Sequence, residues 1–596
     1  MISRSFARVL SIAAAFAGLG IITAAAGQSW PQWAQNPQHT GFLNVTGQRL
    51  DSIVANLVYD PLVPDEQAHN GGDLLVHYQV PLVEGNSVYM ESKSGTYTEE
   101  SYSTQAWHQN RFTWISGVLT KVWTFDSDWF PPGSQFDFWE PVYHAVLANG
   151  FVYDPGRGGT IFKLNTADGS VVTRINPFGT IDPNTFTVSP LTADAEGNIY
   201  YNVLKLQNNI SFYDSDAVDS WLVKVAPDDS IRMVSYSTLN PNAPRRDDQC
   251  LDAFSESDLP WPPSVDAVPP SVTCGLQRVA LNIAPAIARD GTIYSVTRAH
   301  FFQGNRHGFL VAINRDLTLQ WAASLRDRFH DGCGVSPGQG GTLPPNGQPG
   351  GCRDLGPQGN EIIRGRDPAQ NRPGGGRVLD DSSSTPTVAP DGSVLYGAYT
   401  RYNYAQGHLM RFSAAGRFLD AFGFGWDITP AIFSHENDDD QVGAAAYSIV
   451  IKDNHYSGLG SYCNDPVLCP GDRTASNPAS PEEFFITQLS PDMAIEWRFK
   501  STNTQSCTRN PDGSVTCETT NPHGFEWCVN APTVDRRGVV YANSEDGNLY
   551  AINQGGRLRQ SIFQQLALGA AYTPASLGPD GKIYTQNAGH LFVVTR

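Results

Sequence analysis

This 596-residue sequence predicts an all-β fold, an eight-bladed β-propeller of four-stranded antiparallel blades, on three observations. One short phrase recurs eight times along the chain. A second, hairpin-like phrase follows most of its copies. The composition reads as one material throughout, with 56 Gly, 41 Pro, 13 Trp, 23 Tyr and 29 Phe but only 17% charged residues. Turn signals recur steadily and few stretches carry helical periodicity, which suits a repeat protein better than a string of unlike domains.

The first phrase is a small residue and Pro, a short apolar strand, a tight turn with Gly, and a strand ending in Tyr. It reads "APAIARDGTIY" at 284–294, "TPTVAPDGSVLY" at 385–396, "APTVDRRGVVY" at 531–541 and "TPASLGPDGKIY" at 573–584. Looser copies are "VPLVEGNSVY" at 80–89, "HAVLANGFVY" at 144–153 and "SPLTADAEGNIY" at 189–200; the loosest is "TPAIF" at 429–433 with "AAYSIVI" at 445–451. The weakness of that copy leaves seven blades as the alternative count. The second phrase is an alternating strand, a polar turn and a further strand, as in "GTIFKLNTADGSVVTRI" at 159–175 and "GFLVAINRDLTLQWAAS" at 308–324. Alternation bounded by Asp-Gly or Gly-Gly turns marks hairpins, and two hairpins per repeat make a blade.

The last repeat ends one strand short, because only "TQNAGHLFVVTR" follows Tyr584. The missing outer strand is matched near the other end of the chain by "DSIVANLVYDPLV" at 51–63, so an N-terminal strand is expected to close the ring. Just before it lies "SWPQWAQNPQHTGF" at 29–42, whose Trp30 and Trp33 are expected to pack over that seam. Residues 1–27 read as a secretory signal peptide: Arg4 and Arg8, an apolar run from Val9 to Ile22, then Ala24, Ala25 and Ala26. A membrane anchor is the competing reading, but the run is shorter than the roughly 20 residues a spanning helix needs. The first cysteine is Cys250, so no lipid-bearing cysteine follows the leader. The expected product is a secreted or periplasmic single propeller domain, residues 28–596. The net charge of the full chain is −19, and loss of Arg4 and Arg8 with the leader takes the product to −21; such a field repels phosphate backbones and anionic lipid, which argues against nucleic acid as a partner and against a membrane surface.

These phrases resemble the repeats of the PQQ-like (quinoprotein alcohol dehydrogenase-like) β-propeller superfamily, and the opening "WPQWAQNPQHTGF" is similar to the N-terminal stretch of its secreted members. The resemblance implies PQQ and calcium as possible cofactors. It also implies adjacent cysteines under the quinone, and often a Cys-x-x-Cys-His haem site; neither pattern occurs here. The family's docking phrase, Ala-x-Asp-x-x-Thr-Gly-Lys-x-x-Trp, survives as fragments such as "NTADGSVV" and the Trp of "LQW" and "IEW".

With blade strands lettered A to D from the channel outwards, the A–B and C–D turns stay short and define one compact face. Long insertions fill D–A connections (about 124–143, 237–281, 326–382 and 500–529) and B–C connections (about 90–110, 203–219, 295–307 and 452–482). Both kinds emerge at the same end, so the long loops gather round one mouth of the channel, where binding is expected. All nine cysteines fall in these loops; eight are disulfide candidates as neighbours, Cys250 with Cys274, Cys333 with Cys352, Cys463 with Cys469, and Cys507 with Cys517, and Cys528 is left over. Sequence alone does not fix the pairing.

Two sets of residues are ligand candidates. The first D–A loop, "WTFDSDWFPPGSQFDFWEPVYH" at 123–144, carries Trp129, Trp139 and Tyr143 among carboxylates; such faces suit a neutral or cationic ligand, sugars included. Filling space between blades is the competing role, and Trp123, on a strand, fits it. The second set precedes the inner strands: His77, His144, Asn282, Asp381, Asp427 and Asn530. These ring the mouth, where they would hold a small ligand or simply line a hydrated channel. No metal site, nucleophile motif or nucleotide loop is assigned. The expected function is a non-catalytic binding or scaffold propeller taking a protein, small-molecule or glycan ligand at the looped face. The alternatives are a divergent PQQ-dependent oxidoreductase and a carbohydrate-binding or carbohydrate-processing propeller.

Overall fold

The computed structural model describes residues 29–75, 77–98, 102–133, 142–209, 216–251, 271–299, 307–325, 366–367, 372–373, 384–398, 406–425, 428–435, 445–455, 483–510, 512–527, 529–569 and 574–596. Eight antiparallel sheets built on four successive strands follow one another round a ring. They span residues 82–126, 146–175, 185–235, 277–324, 387–425, 431–500, 533–563 and, for blade 8, 575–595 together with 52–58. The alternative of seven is thereby settled: the weakest repeat is a full blade 6, with Ala431–Ser434 paired to Tyr447–His455.

Ring closure follows the expectation from the short last repeat. Ser52–Val58 lies antiparallel to His590–Thr595, running from Ser52 opposite Thr595 to Val58 opposite His590, with one bulge between Ile53 and Ala55. In blades 3 and 4 the inner strand is broken in two. Thr185–Thr187 and Thr192–Ala193 both pair with Ile199–Leu206, and Gln277–Val279 and Ala286–Ile287 both pair with Ile293–Ala299. Among the described residues no helix is long and apolar enough to cross a membrane.

Blades are locked to their neighbours by tryptophan. The Nε1 of Trp123, on the outer strand of blade 1, donates to Thr166 O in the C–D turn of blade 2 at 3.0 Å, and Trp321 repeats this from blade 4 to Ala414 O of blade 5 at 2.8 Å. In each case a turn glycine at positive φ lies under the indole: a Cβ on Gly169 would meet Trp123 at 2.7 Å, and one on Gly416 would meet Trp321 at 2.6 Å. The space-filling role for Trp123 is therefore the one it takes.

The segment before the closing strand does more than cover a seam. From Trp30 to Gln48 it runs round the inside of the ring at the compact face and touches every blade in order. Trp30 exchanges two backbone hydrogen bonds with Val83 of blade 1, and Pro31 O accepts from Leu147 N of blade 2. Gln32 Oε1 accepts from Ala193 N of blade 3 at 2.7 Å. Pro37, Gln38, Thr40 and Gly41 then accept from Ile287, Val388, Ile432 and Val534 of blades 4 to 7, and Gln48 N donates to Gly581 O of blade 8. Those seven blade residues hold equivalent places in the repeats: each amide belongs to an innermost strand whose channel-side edge has no neighbouring strand. The segment supplies the missing acceptors, which is why an irregular backbone is tolerated there. Trp30, Trp33 and His39 are fully buried in it.

Candidate functional site at the looped mouth of the channel

At the opposite end of the channel, the residues preceding the inner strands pass hydrogen bonds from blade to blade. Leu191 N donates to His144 O (blades 3 and 2), and Asn282 N donates to Val188 O (4 and 3). Thr429 N reaches both the backbone O and Oδ1 of Asn530 (6 and 7), and Gln586 Nε2 donates to His77 O (8 and 1). His77, His144, Asn282 and Asn530 thus come together as a buried ring, and each first serves to register two blades. Asn282 holds φ +62° in the break of the blade 4 inner strand. Asp381 and Asp427 lie outside the described residues.

Two buried imidazoles, His144 and His39, are held in the same state. His144 Nδ1 donates to Ala145 O at 2.8 Å, and His39 Nδ1 donates to Pro386 O at 2.9 Å. Burial outweighs the effect of those bonds and pulls both rings down to about 4, so both are neutral at pH 7. The carbonyls fix the proton on Nδ1 and leave Nε2 an acceptor; among the described residues neither Nε2 has a hydrogen-bond partner, nor has Asn530 Nδ2. Such groups suit water or a small uncharged polar ligand.

The aromatic loop of blade 1 turns inwards where it is described. Trp129 is 3% exposed, meets Trp107 edge-on with ring centroids 4.9 Å apart, and donates from Nε1 to Thr187 O at 3.0 Å. Tyr143 is fully buried and donates to Asp154 Oδ2. Burial pushes both the Tyr143 phenol and the Asp154 carboxyl well up; Asp154 adds to the first shift and Glu91 to the second. The structure therefore gives Trp129 and Tyr143 packing roles, while Trp139 lies outside the described residues.

The most concentrated charge was not singled out from sequence. Asp60, just after the closing strand, Glu66 on the short helix Val63–His69, His77 and Lys93 on the second strand of blade 1 meet at the seam of blades 8 and 1. Lys93 Nζ lies 2.7 Å from Asp60 Oδ2 and 3.3 Å from Glu66 Oε1, and His77 Nε2 lies 3.2 Å from Asp60 Oδ2 and 3.5 Å from Glu66 Oε2. Burial alone would raise both carboxyls, but the charges of Lys93 and His77 outweigh it and hold both below the usual range. One signal for this cluster was present: "VYMESKSG" at 88–95 sets Glu91 and Lys93 on alternate positions of a strand, and both are buried.

Among the described residues, Asp60, Glu66 and His77 form the one group of His, Cys, Asp or Glu gathered closely enough to hold a metal ion. They do not fit the calcium that the resemblance implies. One donor is an imidazole, where calcium takes oxygen ligands, and the Lys93 ammonium already stands where the cation would. Cys507 and Cys517 form a disulfide across an exposed hairpin, as proposed from the sequence. Cys274 is disulfide-bonded as well. The side chain of Cys250, and Cys333, Cys352, Cys463 and Cys469, lie outside the described residues.

No protein-family model matches the chain, and no curated protein sequence matches it. Among solved structures it is similar to a quinohemoprotein alcohol dehydrogenase from Comamonas testosteroni, at 11% identity and a TM-score of 0.47, over 96% of this chain and 81% of that one. It is also similar to BamB from Moraxella catarrhalis, at 9% identity and a TM-score of 0.37, over 91% of this chain and 97% of that one. The fold stands on its own eight four-stranded blades: in architecture the chain is an eight-bladed β-propeller.

Proposed function

We propose that this protein is an exported, non-catalytic propeller that binds a protein, small-molecule or glycan ligand at its looped face. One observation carries the reading. The 30–48 segment bonds to all eight blades at the compact face, and this is what points to the looped face as the one that binds. By topology the long D–A and B–C connections belong to that face, and among the described residues the buried His144 Nε2 and Asn530 Nδ2 have no hydrogen-bond partner. The oxidoreductase alternative is less supported, because the one donor cluster among the described residues does not fit calcium.

The test has two arms. In the first, purified protein is dialysed against PQQ with Ca²⁺ and its absorbance read; stoichiometric retention with alcohol-dependent dye reduction would overturn the non-catalytic reading. In the second, the protein is probed by glycan screening and by cross-linking mass spectrometry in the medium it is exported to. Contacts should map to the connections at 90–110, 203–219, 295–307 and 452–482. Contacts confined to the short-turn face would place the binding surface elsewhere.

A further inference from the structure

The inner rim of the compact face is itself a peptide-binding site, and we propose that residues 30–48 are its ligand, bound in cis and able to bind in trans. The proposal goes beyond the looped-face reading and does not depend on it. Three features separate the segment from the wall it lies on.

First, its contacts with the ring are periodic. One amide from the innermost strand of each of blades 1 to 7 (Val83, Leu147, Ala193, Ile287, Val388, Ile432 and Val534) donates to it in order, six to backbone oxygens and Ala193 to Gln32 Oε1. The rim thus offers a row of equivalent donors, in the manner of a sheet edge that accepts an added strand.

Second, the segment carries its own shape. Gln35 N bonds to Gln32 O, His39 N to Asn36 O and Gly41 N to Ala34 O, and positive φ angles at Ala34, Gln35, His39 and Gly41 set the bends. A peptide with internal turns loses less freedom on docking than one shaped only by its groove.

Third, its chemistry matches a buried site. "WPQWAQNPQHTGFLNVTGQ" contains no Asp, Glu, Lys or Arg in a chain of net charge −19, and its one titratable side chain, His39, is held neutral by burial. Close fit is visible at Gly41, where a Cβ would meet Pro532 O at 2.5 Å, and at Gly47, where one would meet the Tyr541 hydroxyl at 2.0 Å. The covalent link onwards passes through Arg49, whose side chain is 60% exposed.

The experiment cuts the folded full-length protein. A site-specific protease sequence is inserted after Arg49, the protein is purified intact and then cleaved, and the products are passed through gel filtration. The 29–49 peptide should co-elute with the ring and leave it only in the denaturant range that unfolds the blades. After release in denaturant, removal of the cut peptide and refolding of the ring by dilution, a fluorescent synthetic 29–48 peptide should rebind with one-to-one stoichiometry, and the same peptide carrying Gly41→Ala should bind at least tenfold more weakly. Aggregation of the stripped ring that excess peptide prevents would also support the site. Immediate loss of the peptide with an unchanged melting temperature would overturn the proposal, as would equal binding by a scrambled peptide.

Discussion

Two histidines and one lysine carry most of what a single side chain decides here. His39 and His144 titrate at about 4 when folded against 6.5 when free, so the unfolded chain takes up their protons first as pH falls. Each therefore stabilises the fold fully above about pH 6.5, and the contribution drains away as pH drops to about 4, worth about 3 kcal/mol per ring over that window. Carbon-13 NMR of labelled imidazoles should show neither ring titrating above about pH 5. His144→Asn, which keeps a donor for Ala145 O, should flatten the acid limb of stability between pH 6.5 and 4. Lys93 is the opposite case, a charge that must stay. Lys93→Met keeps the stem and removes the ammonium from Asp60 and Glu66, and breaking a buried pair in that way costs about 3–5 kcal/mol. The urea midpoint should fall accordingly; an unchanged midpoint would mean that His77 alone compensates the two acids. Little of this was legible in the sequence. Asp60, Glu66, His77 and Lys93 share no spacing rule, and they meet only because ring closure brings the N-terminal strand beside blade 1.

At the scale of elements, the blade was legible and its fastening less so. Asp-Gly turns and period-two alternation are local, so the repeats could be cut into strands from the text alone. What Trp123 does depends on a turn in the next blade. Its indole lies over Gly169, which holds φ +73° and leaves 2.7 Å for a Cβ, and its Nε1 bonds to Thr166 O. Gly169→Ala should cost about 2 kcal/mol or more, from the left-handed backbone and the lost clearance together. Trp123→Phe should lose the hydrogen bond but keep the packing, and so cost less. Differential scanning calorimetry of the two variants checks that order, and the reverse would mean that the hydrogen bond, not the close approach, fastens blade 1 to blade 2. The same scale explains the fate of the aromatic loop. Rings interleaved with carboxylates read as a ligand face in one dimension, but Trp129 reaches across to Thr187 O of blade 3 and is used up in packing.

For the whole molecule the governing fact is that a ring has no end until its two termini meet. The closing strand was legible because the last repeat is one strand short, and that absence can be counted. The 30–48 segment was legible only as something that should not fray, since its bonds go to eight separate blades and the segment's own residues show no repeat. Closure and lining are covalently one piece, so removing residues 29–63 removes both. It strips acceptors from innermost-strand amides of blades 1 to 7, exposes the edge of His590–Thr595, and takes away Asp60 from the buried cluster. Burial of Trp30 and Trp33 contributes about 2–3 kcal/mol each, against a net stability of about 5–15 kcal/mol for a typical domain. The truncated chain is therefore expected to lose its single cooperative transition and to aggregate through the freed edge. Removing the exposed hairpin at 505–519 instead, whose strands add nothing to the core, should leave that transition within about 1 kcal/mol of the full chain. Equilibrium unfolding of the two deletions side by side tests the argument. If the chain lacking 29–63 unfolds as one transition at the same midpoint, the ring is held by its blade-to-blade tryptophans and not by its termini.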